Sequence, residues 1–372
     1  MQRYEKILYL HHKTPKTMQK TILLLLALMW QVLPSNADET GEKLVFTTIC
    51  ENPIAPVKNQ NRSGTCWAYA TIGFFEGEIL RITGKTYDLA EMFVASKDYV
   101  DCADYHVRMH GYSRFSEGGS CDDVLEVIRR HGICPEEAMA LPGSLVGDSL
   151  ANFNEFFSLL TPYVTKVAKQ EGKLTKQWRE GLQSILDAYL GECPQSFVYE
   201  GKTYTPKTFA STLELRLDDY VSITSFTHHP FHEQFVIEAP YKWRPKPSMN
   251  VPLDEMMSII DHALESGYNV AWGGDVSGGG FTRTGLAIVN GNADKEPVAT
   301  QELRQERFDN WESTYDHVML IFGKARDQKG REYYLVKNSW GDIGDYHGIW
   351  YMSKAFVALN TTYIFLNRKG MK

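Results

Sequence analysis

The spacing of the apolar residues changes partway along the chain, and this change restricts the fold more than any other feature. Up to about Leu217 apolar residues recur at helical intervals; from Tyr220 onward they gather into short runs rich in valine, isoleucine and aromatic residues. Trp67, Ala70 and Phe74 form one stripe and Ile72, Phe75 and Ile79 a second, so a largely buried helix is predicted to begin near Cys66, with Gly64-Thr65 as turn and N-cap. Asp88 and Glu91 fit a capping box for a helix from Leu89 to about Tyr105. Ser120 caps the next helix, which Gly132 and Pro135 end. Two further sets, Leu150, Phe153, Phe157, Leu160, Val164 and Leu174, Trp178, Leu182, Ile185, Tyr189, predict a helical insertion within about 148–217. Strands are predicted at Tyr220 to Phe226, Asn269 to Trp272, Leu286 to Val289, His317 to Phe322, Tyr333 to Lys337, Ile349 to Met352 and Tyr363 to Leu366. One helix, Leu253 to Leu264, interrupts them and stops at Gly267. Helices followed by strands indicate an α+β chain, with a helical lobe over 38–217 and a β-rich lobe over 218–372.

Three motifs carry chemistry, and they occur in a fixed order. Cys66 lies in Gln60-Asn61-Arg62-Ser63-Gly64-Thr65-Cys66-Trp67-Ala68; Asp316-His317 opens a predicted strand; Lys337-Asn338-Ser339-Trp340-Gly341 closes another. A free cysteine is only a few per cent thiolate at neutral pH, and a neighbouring imidazole or a helix N-terminus raises that fraction. His317 is the expected base, and Asn338 would hold its ring through the side-chain carbonyl while Trp340 keeps water off that bond. Gln60, six residues before the nucleophile, would offer an amide N–H beside that of Cys66 to a developing oxyanion. Asp316 would tune the local field. Singly, a buried cysteine or a histidine in an apolar strand is usually packing. The joint, ordered occurrence of all three motifs is what assigns catalysis.

With these residues the chain resembles the papain superfamily of cysteine peptidases, in particular its bleomycin hydrolase and aminopeptidase C branch. Pro56-Val57-Lys58-Asn59-Gln60, Leu89-Ala90-Glu91-Met92-Phe93, Glu117-Gly118-Gly119-Ser120 and Arg304-Gln305-Glu306-Arg307-Phe308-Asp309-Asn310 add to the likeness, which runs from about Val45 to the C-terminus. The resemblance implies a two-lobed papain-like fold, with a helical N-terminal lobe and an antiparallel, β-barrel-like C-terminal lobe. It also implies peptide substrates, Gly118 and Gly119 as the edge along which a substrate backbone lies, and a reaction without cofactor or metal. In this family the C-terminal tail lies in the cleft, so Lys372, at the end of a short extended tail, would meet the substrate amino terminus and restrict the enzyme to aminopeptidase action. Family members form hexameric cages, so a homo-oligomer is implied. An endopeptidase with an open cleft, a transferase, or a catalytically silent peptide-binding protein on the same fold are the alternatives. Asp316-His317-Val318-Met319 departs from the His-Ala-Met form of many relatives, which bears on substrate preference and not on the chemistry.

The start of the chain reads as a leader. Thr21 to Leu33 is apolar and uncharged, Lys13, Lys16 and Lys20 precede it, and Ser35-Asn36-Ala37 offers a small-x-small cleavage pattern. We therefore expect a signal peptide over 1–37, with 1–17 a gene-start artefact ahead of Met18, and a secreted or periplasmic product. The run is too short for a comfortable membrane span. Removing it takes the formal charge from −7 to about −11, which disfavours nucleic-acid binding. With Cys66 set aside, Cys50, Cys102, Cys121, Cys134 and Cys193 remain, and the sequence leaves their pairing open. No C-x2-C spacing exists, and Pro230 interrupts His228-His229-Pro230-Phe231-His232 as a helical ligand set. The glycines of Gly273-Gly274-Asp275 and Gly278-Gly279-Gly280 read as loops, since no Gly-Lys-Ser/Thr follows them.

Overall fold

The computed structural model describes residues 43–146 and 150–371; the expected leader and Lys372 lie outside the described residues. A strand, β1 (Phe46–Glu51), precedes the helices α1 (Cys66–Thr83), α2 (Glu91–Arg108) and α3 (Cys121–His131). Both stripes of α1 are buried, as an apolar residue set on two faces demands. Helix α2 has Ala90 at its N-cap instead of Asp88, because the expected capping groups are engaged elsewhere. Asp88 and Glu91 pair with Lys58 at 2.6 and 2.7 Å, and the Leu89 N–H goes to the Glu76 carboxylate at 2.9 Å. Ser120 does cap α3, in a box with Asp123. Short strands β2 (Leu145–Val146) and β3 (Leu150–Ala151) then lead to α4 (Asn154–Ala168) and α5 (Gln177–Leu190), the two helices expected in the insertion.

A hairpin of β4 (Phe197–Tyr199) and β5 (Lys202–Tyr204) and the short α6 (Pro206–Ala210) lead into the sheet. Its strands are β6 (Tyr220–Thr224), β7 (Gln234–Phe235), β8 (Ser248–Asn250), β9 (Val270–Gly274), β10 (Leu286–Ala287), β11 (His317–Asp327), β12 (Glu332–Lys337), β13 (Ile349–Ser353) and β14 (Thr361–Asn367). Helices α7 (Leu253–Glu265), α8 (Gln301–Asp309) and α9 (Lys354–Asn360) intervene. Among the described residues the strand order is β10-β13-β12-β11-β9-β14-β6-β8-β7, with β1 added to β11. The expected antiparallel sheet is therefore mixed, β10 with β13 and β6 with β8 being parallel, and its order is an open path rather than a closed barrel. Gly273 and Gly274 are the last residues of a strand, not loop: a Cβ at Gly274 would lie 2.2 Å from the Asn360 carbonyl.

Strand β11 explains why one apolar run can serve two lobes. Successive side chains of a strand point to opposite faces, and here Val318 and Leu320 enter the core shared with the helices while Met319 and Ile321 enter a second core with α7 and α9. A strand buried on both faces shows no polar alternation. His317 opens this strand opposite Gly274, and α1 packs across it, so the two ends that bear Cys66 and His317 converge. All six cysteines are free thiols. No helix of the described residues is long and apolar enough to cross a membrane.

Candidate active site

Cys66, Gln60, Gly118, Gly119, Asp316, His317 and Trp340 line one groove of about 620 Å³. Cys66 is the first residue of α1, where helix N–H groups favour an anion. Thr65 precedes it without capping the helix through its side chain; its hydroxyl bonds that of Ser63 at 2.5 Å. Burial pushes the Cys66 thiol up to about 12, against the pull of the Val318 backbone N–H beside it. The same burial draws the His317 imidazole down to about 4, with the Asn338 hydrogen bond acting in the opposite sense. Considered separately both groups are thus neutral, and moving the thiol proton to the imidazole creates two opposite charges that offset each other in a groove of low polarity.

The orientation of the imidazole follows from its partner. Asn338 Oδ1 accepts the Ser339 backbone N–H at 2.8 Å, so the atom facing His317 is the oxygen and not the amide nitrogen. His317 Nε2–H therefore donates to Asn338 at 2.9 Å and leaves Nδ1 with its lone pair for a proton. Trp340 lies 5.1 Å from the His317 ring and Asn338 is almost fully buried, which keeps that bond dry. Removing this partner frees the ring without deleting it. We expect Asn338→Ala to lower kcat about 10- to 100-fold with little change in KM, a milder loss than removal of the nucleophile, measured by steady-state kinetics.

Gln60 is fixed by similar logic. Its Oε1 accepts the Ser339 hydroxyl and its Nε2 donates to the Ser63 carbonyl at 2.6 Å, so the amide cannot be turned around. An amide nitrogen carries two hydrogens, and one remains for the groove. Asp316 accepts the Val276 N–H at 3.0 Å, and burial lifts its carboxyl to about 6.

The glycine edge is only partly available. A Cβ on Gly118 would lie 2.6 Å from the Tyr241 ring, and one on Gly119 would lie 2.8 Å from Trp67, so both positions require glycine. The Gly119 carbonyl already accepts the Tyr315 hydroxyl at 2.5 Å. The C-terminal tail differs more. Strand β14 starts beside Gly274, the partner of His317, and runs away from the groove for seven residues, about 20 Å. Arg368–Met371 is a 3-10 turn packed on α7, not an extended tail, and lines another cavity with Asp219 and His262. Lys372 itself lies outside the described residues.

One His and Glu group could approach a metal among the described residues: His228, His229 and Glu238, with ligand atoms within 4.8 Å of one another. Gln305 decides against it. Its Oε1 accepts the Thr227 N–H at 2.7 Å, so its Nε2 donates to His228 Nδ1, and His228 must carry its proton on the Nε2 that faces Glu238. A protonated nitrogen is a hydrogen-bond donor and not a ligand. His232 stands apart, 3.7 Å from Glu255.

The family model described as Peptidase C1-like family matches residues 29–371. The chain is 23% identical over 351 residues to aminopeptidase G of Lactobacillus delbrueckii subsp. lactis, covering 83% of this chain and 79% of that one. It is 21% identical to aminopeptidase C of Listeria innocua serovar 6a, with 84% and 80% covered. The crystal structure of PepW from Lactobacillus rhamnosis HN001 superposes with a TM-score of 0.74 at 21% identity, over 94% of this chain and 89% of that one.

Proposed function

Since the chain belongs to the peptidase C1-like family, in its aminopeptidase C and bleomycin hydrolase branch, we propose that Cys66, His317 and Asn338 hydrolyse peptide bonds one residue from a free amino terminus. The observation that carries the proposal is the single groove in which the nucleophile, the oriented imidazole and the Gln60 amide meet. The thiolate of Cys66 attacks the first carbonyl of the peptide. His317 Nδ1–H then protonates the departing amine, and a thioester remains on the sulfur. Water, deprotonated by His317, hydrolyses that thioester and restores the thiol. The Cys66 N–H and the free Gln60 N–H stabilise the oxyanion at both stages.

A tail-limited form of this activity, with the Lys372 carboxylate reading the substrate amine, rests on the family resemblance; the packing of Arg368–Met371 on α7 speaks against it. A pair of peptides differing only in N-acetylation tests the reading. The free-amino peptide is expected to react at least about 100-fold faster, and equal rates would make the protein an endopeptidase. A chain lacking Lys372 that keeps this preference eliminates the tail form. Export follows from the leader-like residues 1–37, and amino-terminal sequencing of the mature protein near Asp38 checks it. Assembly into a homo-oligomer, hexameric by family resemblance, is checked by light scattering.

A further inference from the structure

Resting on the aminopeptidase reading, we infer that the exopeptidase limit is built into the groove itself: Tyr241 closes its far end and the Glu117 carboxylate receives the substrate α-ammonium.

Glu117 is a half-buried carboxylate in the groove wall that no cation of the described residues offsets. One oxygen accepts the Gly64 N–H at 2.5 Å, and the backbone carbonyl of Glu117 is held by the Trp67 indole at 2.9 Å and the Tyr99 hydroxyl at 3.1 Å. The side chain is therefore placed and not free to swing into solvent. Gly64 precedes Cys66 by two residues, so their Cα atoms are at most about 7.6 Å apart. In a peptide whose first carbonyl lies at the Cys66 sulfur, the α-ammonium is on the adjoining carbon, at the same depth of the groove. Arg114, which also lines the groove, is stacked over the Tyr241 ring at 4.0 Å. Burial without a counter-charge raises the Glu117 carboxyl, which an arriving ammonium would relieve.

Tyr241 supplies the other half of the limit. A peptide that continued past its first residue would lie along Gly118 and Gly119, but Tyr241 covers the first and Tyr315 holds the carbonyl of the second. Arg114, Tyr241 and Tyr315 also line a second cavity of about 460 Å³, and so form the partition between it and the groove. The partition is fastened immediately after Tyr241. Lys242 is wholly buried against Asp122 at 2.9 Å, and Arg244 reaches Asp123 at 3.0 Å and Asp98 at 3.3 Å. Trp243 adds a bond to Asp98 at 3.1 Å. Such a strap cannot be pushed aside by substrate without breaking buried ion pairs.

Three proteins, the wild type, Glu117→Gln and Tyr241→Ala, are compared on four peptides that begin with alanine or lysine, each with a free or an acetylated amino terminus. Iodoacetamide labelling of Cys66 and a thermal melt confirm that each variant is folded with a reactive site. Glutamine keeps the acceptor for the Gly64 N–H and removes the charge. It is expected to raise KM for both free-amino peptides at least tenfold, and so to reduce the preference for a free amine. Tyr241→Ala is expected to raise cleavage of acetylated peptides at least tenfold relative to free ones. If the wild type prefers free amines and neither variant changes that preference, the inference fails while the aminopeptidase reading stands. If Glu117→Gln affects only the lysine peptides, the carboxylate reads a side chain and the inference is overturned. If the wild type shows no preference, both readings fall.

Discussion

Cys66→Ala is expected to lower kcat by about 10⁵-fold or more while leaving the fold in place. In the proposed mechanism the sulfur forms the thioester, and the water that would have to replace it lacks both its nucleophilicity and its fixed position. The structural effect is small, because the change removes one atom at the rim of the core and the α1 stripes stay packed. A melt within a few degrees of wild type, together with lost turnover, is the expected pair of results. Activity near wild type would place the nucleophile elsewhere. The same variant isolates the electrostatics of His317. With the thiolate absent, burial acts against the imidazolium and the Asn338 bond only partly compensates, so the ring should titrate near about 4. In the wild type a thiolate across the groove favours the cation and raises that value. Carbon-13 NMR of labelled histidine measures the difference, and an unchanged titration would mean that sulfur and ring do not share a proton.

The three motifs legible in the sequence are ones the fold brings to one groove. Cys66, His317 and Asn338 each stand beside neighbours that serve the same bond: Trp340 covers the Asn338 contact, and Ser339 orients both Asn338 and Gln60. All seven expected strands exist because each is an apolar run buried in the sheet, although β11 continues to Asp327 through Lys324 and Arg326. Elements without such a signal were missed. β1 exposes Thr47, Thr48 and Ile49 and gains its place only by pairing with β11, while α8 is rich in charge and is anchored by two buried polar residues, Gln305, which bonds Thr227 and His228, and Arg304, whose guanidinium bonds the Ser225 and Ala358 carbonyls. The capping box at Asp88 failed for a related reason: Lys58, thirty residues away, claims both carboxylates. Glu117 is one of 46 acidic residues, and what marks it is its place in the groove wall, held by the Gly64 N–H and without a counter-charge, which only the fold reveals. Tyr241 owes its position to ion pairs spanning more than a hundred residues.

Those ion pairs lead to the second large effect. Among the described residues Arg244 is the one guanidinium that faces Asp98, Asp101 and Asp123 together, and two of these carboxylates are buried almost completely. Arg244→Ala leaves them in a space of low polarity with no cation between Asp98 and Asp123, a loss of about 3–5 kcal/mol. The loss should depend on pH in a defined direction. Burial first, and then the charge of Asp123, push the Asp98 carboxyl above its ordinary range, and burial does the same to Asp123. A carboxyl whose value is raised by folding binds its proton more tightly in the native state, so it supports the fold at acid pH and weakens it as pH rises. In the wild type Arg244 is the largest charge opposing this; in the variant only the Trp243 bond to Asp98 and, at Asp123, the Ser120 bond and the Lys242 charge remain. Urea melts should therefore show a larger difference between variant and wild type at pH 8 than at pH 5, and a difference independent of pH would mean that Arg244 acts by packing on Trp243 rather than by charge. Because the strap bearing Tyr241 is fastened through this residue, the variant should also cleave acetylated peptides faster relative to free ones. Stability and substrate choice are then coupled through one side chain, and a variant that lost stability at pH 8 without relaxing its preference would separate the fastening from the closure.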